Sequence, residues 1–201
     1  MYLEAGNVSA TDLYQALVSI VSPRPIAWVT TLDKQGHVNL APYSFYNVFS
    51  SNPPVVVFSP TIRPDLTKKD TLLNLEEVPE FVINTATLPL AHAVNESSRE
   101  LPRYESEAEH LSLELVPSVL VKPPRLKASP AHLECRVRQI ISLGTQPRAG
   151  NLVIGEVLAI YVNDEIIQNG KIDPRLLNTI GRLGGQWFCE TTALFELHRP
   201  T

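Results

Sequence analysis

Apolar and polar positions along this chain change places in short runs, most of them strand-length and many bounded by proline. From Ile26 to Thr31 they alternate strictly, with Ile26, Trp28 and Thr30 on one face and Ala27, Val29 and Thr31 on the other. Asp33-Lys34-Gln35-Gly36 reads as a hairpin connection with glycine where positive φ is needed, and His37 to Ala41 as the returning strand. Pro53-Pro54 introduces Val55-Val56-Val57-Phe58-Ser59, a continuous apolar run that predicts a strand buried on both faces. Phe81 to Thr85 is a further strand. Ala131 to Ser142 and Leu152 to Asn163 are the two longest, and they are expected to pair.

The period changes in only a few places. Residues 9–20 predict a short helix capped by Thr11 or Asp12, with Leu13, Ala16 or Leu17, and Ile20 on one face and Pro23 ending it. Asp70 is the expected N-cap of a helix from Thr71 to about Val78, whose stripe is Leu72, Leu75 and Val78. Thr87 is the expected cap of a second helix carrying His92, Val94 and Asn95. Asp173-Pro174 starts a helical turn, since proline suits the first helical position. These elements predict one domain over residues 1–201, an antiparallel barrel of six or seven strands with small flanking helices, mainly β within an α+β class. A polar, acidic excursion interrupts it around 97–118, with Glu100, Glu105, Glu107 and Glu109.

Composition narrows the class. Seventeen prolines beside nine glycines place rigid junctions between many short elements, which favours β structure. With 44% hydrophobic and 19% charged residues the chain has the profile of a globular protein rather than a disordered one. A net charge of −4 argues against a nucleic-acid partner. No apolar run approaches the roughly 20 residues of a membrane helix, and Met-Tyr-Leu-Glu-Ala lacks a signal-peptide pattern, so a cytoplasmic location is expected. Cys135 and Cys189 are too few for a disulfide framework or a structural zinc site.

Candidate chemistry is sparse. In Thr67-Lys68-Lys69-Asp70-Thr71 two lysines and a hydroxyl meet a helix N-terminus, where anions settle; the plain alternative is a solvated basic turn. Thr30, Thr31, Asn39, Ser44 and Asn47 put small polar groups at strand ends, as a planar polar ligand requires, although threonine also favours strands and Ser and Asn favour turns. In Arg182-Leu183-Gly184-Gly185-Gln186-Trp187 tandem glycines permit close backbone approach beside Arg and Trp, or simply a turn. The five histidines have no zinc-like spacing, Cys135 reads as a small core residue, and no Gly-x-Ser-x-Gly, Gly-x-Gly-x-x-Gly or phosphate-binding Gly-x-x-x-x-Gly-Lys occurs.

Several ordered stretches together resemble the flavin reductase-like, FMN-binding split-barrel family, which includes reductase components of two-component flavin monooxygenases and flavoredoxins. They run from Ser22-Pro23-Arg24-Pro25-Ile26-Ala27-Trp28-Val29-Thr30-Thr31 through Asn39-Leu40-Ala41-Pro42-Tyr43-Ser44-Phe45-Tyr46-Asn47, Pro53 to Ser59, Lys69-Asp70-Thr71-Leu72-Leu73-Asn74 and Phe81 to Asn84. Later come Ser129-Pro130, Leu133-Glu134-Cys135, Gly155-Glu156-Val157, Arg182 to Gly185 and Phe195-Glu196-Leu197. The resemblance implies a Greek-key-like antiparallel split barrel. It implies FMN with its ring against Thr30, Thr31, Asn39, Ala41 and Ser44 and with Asn47 nearby, Thr31 and Ser44 tuning the ring. Ser59, Arg63, Lys69 and Thr71 would lie toward the ribityl chain and phosphate. It also implies NAD(P)H as electron donor, a homodimer in which Arg182 and Gly184 could serve the partner's site, and a monooxygenase or electron-transfer partner protein. A flavoredoxin-like carrier reduced by a partner protein and a non-catalytic split barrel are the alternatives. His132, where the family carries a small or apolar residue, and the stretch 107–112 depart from the pattern.

Overall fold

The computed structural model describes residues 2–200, and the expected barrel is there. A seven-stranded antiparallel sheet is built from β1 (Ala27–Leu32), β2 (Val38–Tyr43), β3 (Tyr46–Ser51), β4 (Pro54–Phe58), β5 (Glu80–Thr85), β6 (Ala131–Ser142) and β7 (Asn151–Val162). The spatial order is β2-β1-β5-β6-β7-β4-β3. Its two edge strands, β2 and β3, are consecutive in the chain and joined only through Ser44 and Phe45. The sheet therefore curls until its ends face one another, and a split separates them.

The alternation in β1 has the expected result. Ala27 and Val29 enter a core with Val56, Phe58, Leu72, Leu75, Phe81, Ile83 and Cys135, while Ile26 and Trp28 join a second core with Leu40, Val94, Leu126 and Ile180. Each face of one strand thus anchors a different layer. Trp28 is wholly buried and its Nε1–H donates to Ser97 Oγ at 2.8 Å. Gly36 takes φ +94°, as its hairpin requires. β6 and β7 pair along their length, as their hydrophobic runs predict.

The helices are α1 (Ala10–Ile20), α2 (Asp70–Glu77), α3 (Ala91–Glu96), α4 (Glu107–His110) and α5 (Pro174–Leu177). Three caps differ from expectation. Ser9 rather than Thr11 or Asp12 caps α1, accepting from Asp12 N–H. Asp70 is the first residue of α2 and not its cap, because its carboxylate is drawn away to two arginines; Lys69 holds the cap position without a side-chain bond. Thr87 precedes a 3₁₀ turn, Leu88–Leu90, without a side-chain bond, and α3 follows. The expected inner stripe of α1 also fails in part. Val18 is buried, but Leu17 is 52% and Ile20 80% exposed. The helix docks through Val18 and its C-terminal carbonyls, which turns those two residues outward.

Glu100, Glu105 and Glu109 of the polar excursion are exposed, whereas Glu107 is buried against β2. His132 is buried on the outer side of the sheet, its Nε2 2.7 Å from Leu126 O; burial is the main cause lowering its pKa. No helix among the described residues is long and apolar enough to cross a membrane.

Gly155 in β7 sits over Phe81, whose Cζ lies 2.3 Å from where a Cβ would stand. Gly155→Val should therefore lower stability by about 1–3 kcal/mol through overpacking. Urea denaturation checks this, as a lower midpoint at an unchanged slope.

Candidate functional site

Where β2 runs out under α2, five of the twelve residues singled out from the sequence meet. Asn39, Ala41, Arg63, Lys69 and Thr71 line one narrow cleft of about 50 Å³, together with Pro42, Tyr43, Asp70, Glu107 and the segment 97–101. That space suits a small group, since about 10–15 Å³ of such volume admits one water molecule. Pro42 and Ser98 also line a second cleft of about 180 Å³, with Ile26, Ser44, Val94, Asn95, Arg182 and Phe188. The two sections adjoin. One end carries cations and a helix N-terminus; the other is mixed, with Ile26, Pro42, Val94 and Phe188 facing Ser44, Asn95, Ser98 and Arg182.

The cationic end is built around Thr71, in the first turn of α2. Its Oγ1 accepts from Asn39 Nδ2 and from the Tyr43 hydroxyl, both at 2.8 Å. Both lone pairs are used, so its own O–H is left as a donor, and it has no partner among the described residues. Because no side chain caps α2, the N–H groups of Asp70 and Thr71 are likewise unpartnered among the described residues, and the positive end of the helix dipole faces the cleft. Asp70 is paired with Arg63 at 2.7 Å and Arg103 at 3.2 Å. Arg63 also donates to Lys68 O.

Lys69 makes no ion pair among the described residues. Burial lowers its pKa, and the Arg63 charge adds to the fall, against smaller opposing effects of Glu100 and Asp70. Glu107 faces the same cleft. Its Oε2 accepts from Leu40 N–H at 2.8 Å, which satisfies a donor on the open edge of β2. Burial pushes its carboxyl up, with nearby Asp70 assisting and the Leu40 N–H opposing. Burial also raises the Tyr43 hydroxyl, so it remains a neutral donor to Thr71.

The wider end is held by a buried arginine that the sequence did not single out. Arg24 Nε donates to Ser44 Oγ at 3.3 Å, Nη1 to Val18 O and Val21 O at the end of α1, and Nη2 to Leu183 O at 3.1 Å. Its backbone pairs with Arg182. Arg182 ends β8 (Ile180–Arg182), which pairs with β9 (Phe188–Glu190), and stacks over Phe188, 4.6 Å from the ring centroid. It lines the wider cleft of its own chain. Gly184 packs on Ser19, whose Oγ lies 2.4 Å from where a Cβ would stand; it serves helix packing and does not line the cleft.

The remaining residues go elsewhere. Thr30 and Thr31 are fully buried, Thr30 Oγ1 donating to Pro124 O at 2.6 Å and Thr31 Oγ1 accepting from Asn74 at 3.1 Å. Their side chains support the two cores and do not reach the cleft. Asn47 and Ser59 lie across the split, around a cavity of about 330 Å³ with Phe45, Tyr46 and Phe49. The largest cavity, about 390 Å³, is lined by Pro23, Pro25, Ile26, Tyr46, Ile83 and Leu133, and its one charged neighbour is Arg24. It is larger than the polar cleft and mainly apolar, with Thr85, Thr179 and Thr191 as its other polar side chains. Sequence reasoning missed Ser98, Glu107 and Arg24; the Arg24 signal was a charged residue in an otherwise apolar, proline-flanked strand entrance.

Residues 21–181 match the flavin reductase-like domain, and the chain belongs to that family. Component B of nitrilotriacetate monooxygenase from Bacillus cereus is 32% identical, with a TM-score of 0.92 over 98% of each chain. The 2-nitrobenzoate 2-nitroreductase of Pseudomonas fluorescens is 31% identical, with a TM-score of 0.89 over 100% of this chain and 97% of that one. A flavin reductase with a split-barrel domain from Shewanella frigidimarina shares the fold, at 22% identity and a TM-score of 0.84 over both whole chains.

Half-buried and without a carboxylate partner among the described residues, Lys69 should weaken the ligand-free protein at neutral pH. Its pKa is lower folded than unfolded, so stability rises as pH climbs through the lowered value toward the ordinary lysine value near 10.4. Lys69→Met should raise the stability of the free protein by about 0.5–2 kcal/mol and flatten that alkaline rise, as chemical denaturation between pH 7 and 10 will show.

Proposed function

We propose that the cleft holds FMN and that the protein is an NAD(P)H-dependent flavin reductase supplying reduced flavin to a partner monooxygenase. The observation that carries this reading is the unpaired donor set at the start of α2: the Thr71 O–H, two backbone N–H groups and Lys69. Such a set fits a phosphate monoester. Arg63 stands beside it and Asn39 locks Thr71 in orientation. Ala41, Pro42 and Ile26 form an apolar bed for the ring, while Ser44 and Arg182 border its far edge. When bound, FMN supplies the hydride chemistry; the chain orients it and sets its electrostatic surroundings. The family and the likeness to the nitrilotriacetate monooxygenase component support the reductase assignment.

A second reading has the same flavin serving an organic acceptor. The apolar cavity of about 390 Å³ adjoins the wider cleft through Ile26, and one similar structure is a nitroreductase.

Absorbance titration with FMN should give saturable binding, and NADH or NADPH should bleach the bound flavin in stopped flow. Lys69→Ala and Thr71→Val should each weaken FMN binding tenfold or more, because charge-assisted contacts contribute about 1.5–3 kcal/mol. Unchanged affinity removes the phosphate from this end. Tight FMN with slow nicotinamide oxidation makes the protein a flavoredoxin-like carrier. Bleached flavin re-oxidised faster by 2-nitrobenzoate than by oxygen favours the organic acceptor, and a spectrum unmoved by FMN makes the barrel non-catalytic.

We further infer a homodimer. Tyr14 and Leu17 of α1 lie beside Phe45, and Ile20 of α1 and Val48 and Phe49 of the edge strand β3 are likewise exposed, as expected of a covered surface. Phe49→Asp should halve the mass found by sedimentation equilibrium; a wild-type monomer overturns the assignment.

A further inference from the structure

Arg24 is 6% exposed and has no carboxylate among its hydrogen-bond partners, which are three carbonyls and the Ser44 hydroxyl. Buried arginines ordinarily pair with an acid. The partial charges of Val18 O and Val21 O, at the negative end of α1, hold the guanidinium in place but leave its net charge uncancelled. The ionisable groups that act on it are Tyr14 and a second cation, Arg182. Arg182 also bonds only carbonyls, those of Leu183, Gly185 and Trp187. Two guanidinium groups without acids thus stand around Ser44, whereas at the α2 end Asp70 and Glu100 accompany Arg63.

We propose that Arg24, acting through Ser44, is a positioning residue whose uncancelled charge favours the reduced form of a flavin in the wider cleft over the oxidised form. The inference rests on the flavin reading above. Hydride transfer from a nicotinamide nucleotide moves two electrons and one proton, leaving the flavin with one added negative charge and the nicotinamide with a positive one. A fixed cation beside the accepting ring stabilises that added charge, and burial keeps it from being screened. Ser44 carries the effect, because its Oγ accepts from Arg24 and its own O–H is left to point into the cleft.

The test is the reduction potential of bound FMN, by dye equilibration, in the wild type, Arg24→Gln and Arg24→Lys. Arg24→Gln should reduce the preference for the reduced form at least tenfold, a fall of about 30 mV for a two-electron couple. Arg24→Lys should stay near the wild type at pH 7 and drop away as pH rises, since a buried ammonium loses its proton early. Equal shifts in both variants, or none in either, overturn the inference while leaving FMN binding intact. Should Arg24→Gln not fold, the pH-dependent fall in Arg24→Lys is the deciding measurement; failure of both to fold assigns Arg24 to structure alone and overturns it. Absence of FMN binding by the wild type overturns the flavin reading as well.

Discussion

Three pieces of chain distant in sequence meet at the Arg24 guanidinium. The C-terminal carbonyls of α1, the Leu183 turn and the Ser44 link between the two sheet edges all converge on one buried fork of donors. Planarity and five fixed N–H directions let arginine bind several acceptors at once, which a lysine at the same place would not match. The split between β2 and β3 is thereby held open at a set width, since the residue spanning it is tied from behind. The cleft inherits its wider end from that arrangement.

Its narrower end obeys a different economy. Asn39, Tyr43 and Thr71 spend their hydrogen bonds on one another, which fixes a single hydroxyl with nothing left to accept and one proton to give. Asp70 pairs with Arg63 and Arg103, and Glu107 accepts from Leu40 N–H on the free edge of β2, so both buried or half-buried acids of the site have structural work. Lysine 69 is the exception. A half-buried cation left without a carboxylate partner is tolerated where a ligand completes it, and such frustration is common at functional sites.

The barrel was legible because its signal is local. Two-residue periodicity assigned both faces of β1 to separate cores, and the long runs of β6 and β7 announced a pair. The cap at Asp70 was misjudged because the competing arginine at 103 lies more than thirty residues away, in a segment whose composition reads as solvent. Leu17 and Ile20 have the spacing of a buried stripe, yet they stay exposed because α1 docks through Val18 and its C-terminal carbonyls instead. Thr30 and Thr31 look like ligand contacts by type, and only the fold shows both fully buried, Thr30 donating to Pro124 O and Thr31 accepting from Asn74. Asn39, Lys69 and Thr71 were legible as chemistry; that they share a cleft with Glu107 required the third dimension.

The strand order carries a kinetic consequence. Hairpins β1–β2, β3–β4 and β6–β7 each close a short loop, whereas joining β4 to β7 brings together residues roughly a hundred positions apart, such as Val57 and Ile154. By loop-closure entropy this junction costs about 2 kcal/mol more than a ten-residue turn, so it belongs to the late stage of folding. A ribosome must release β7 before β4 has its inner neighbour, and until then the paired edge of β4 is bare. Nascent chains of this protein thus expose an unsatisfied, valine-rich strand for most of their synthesis.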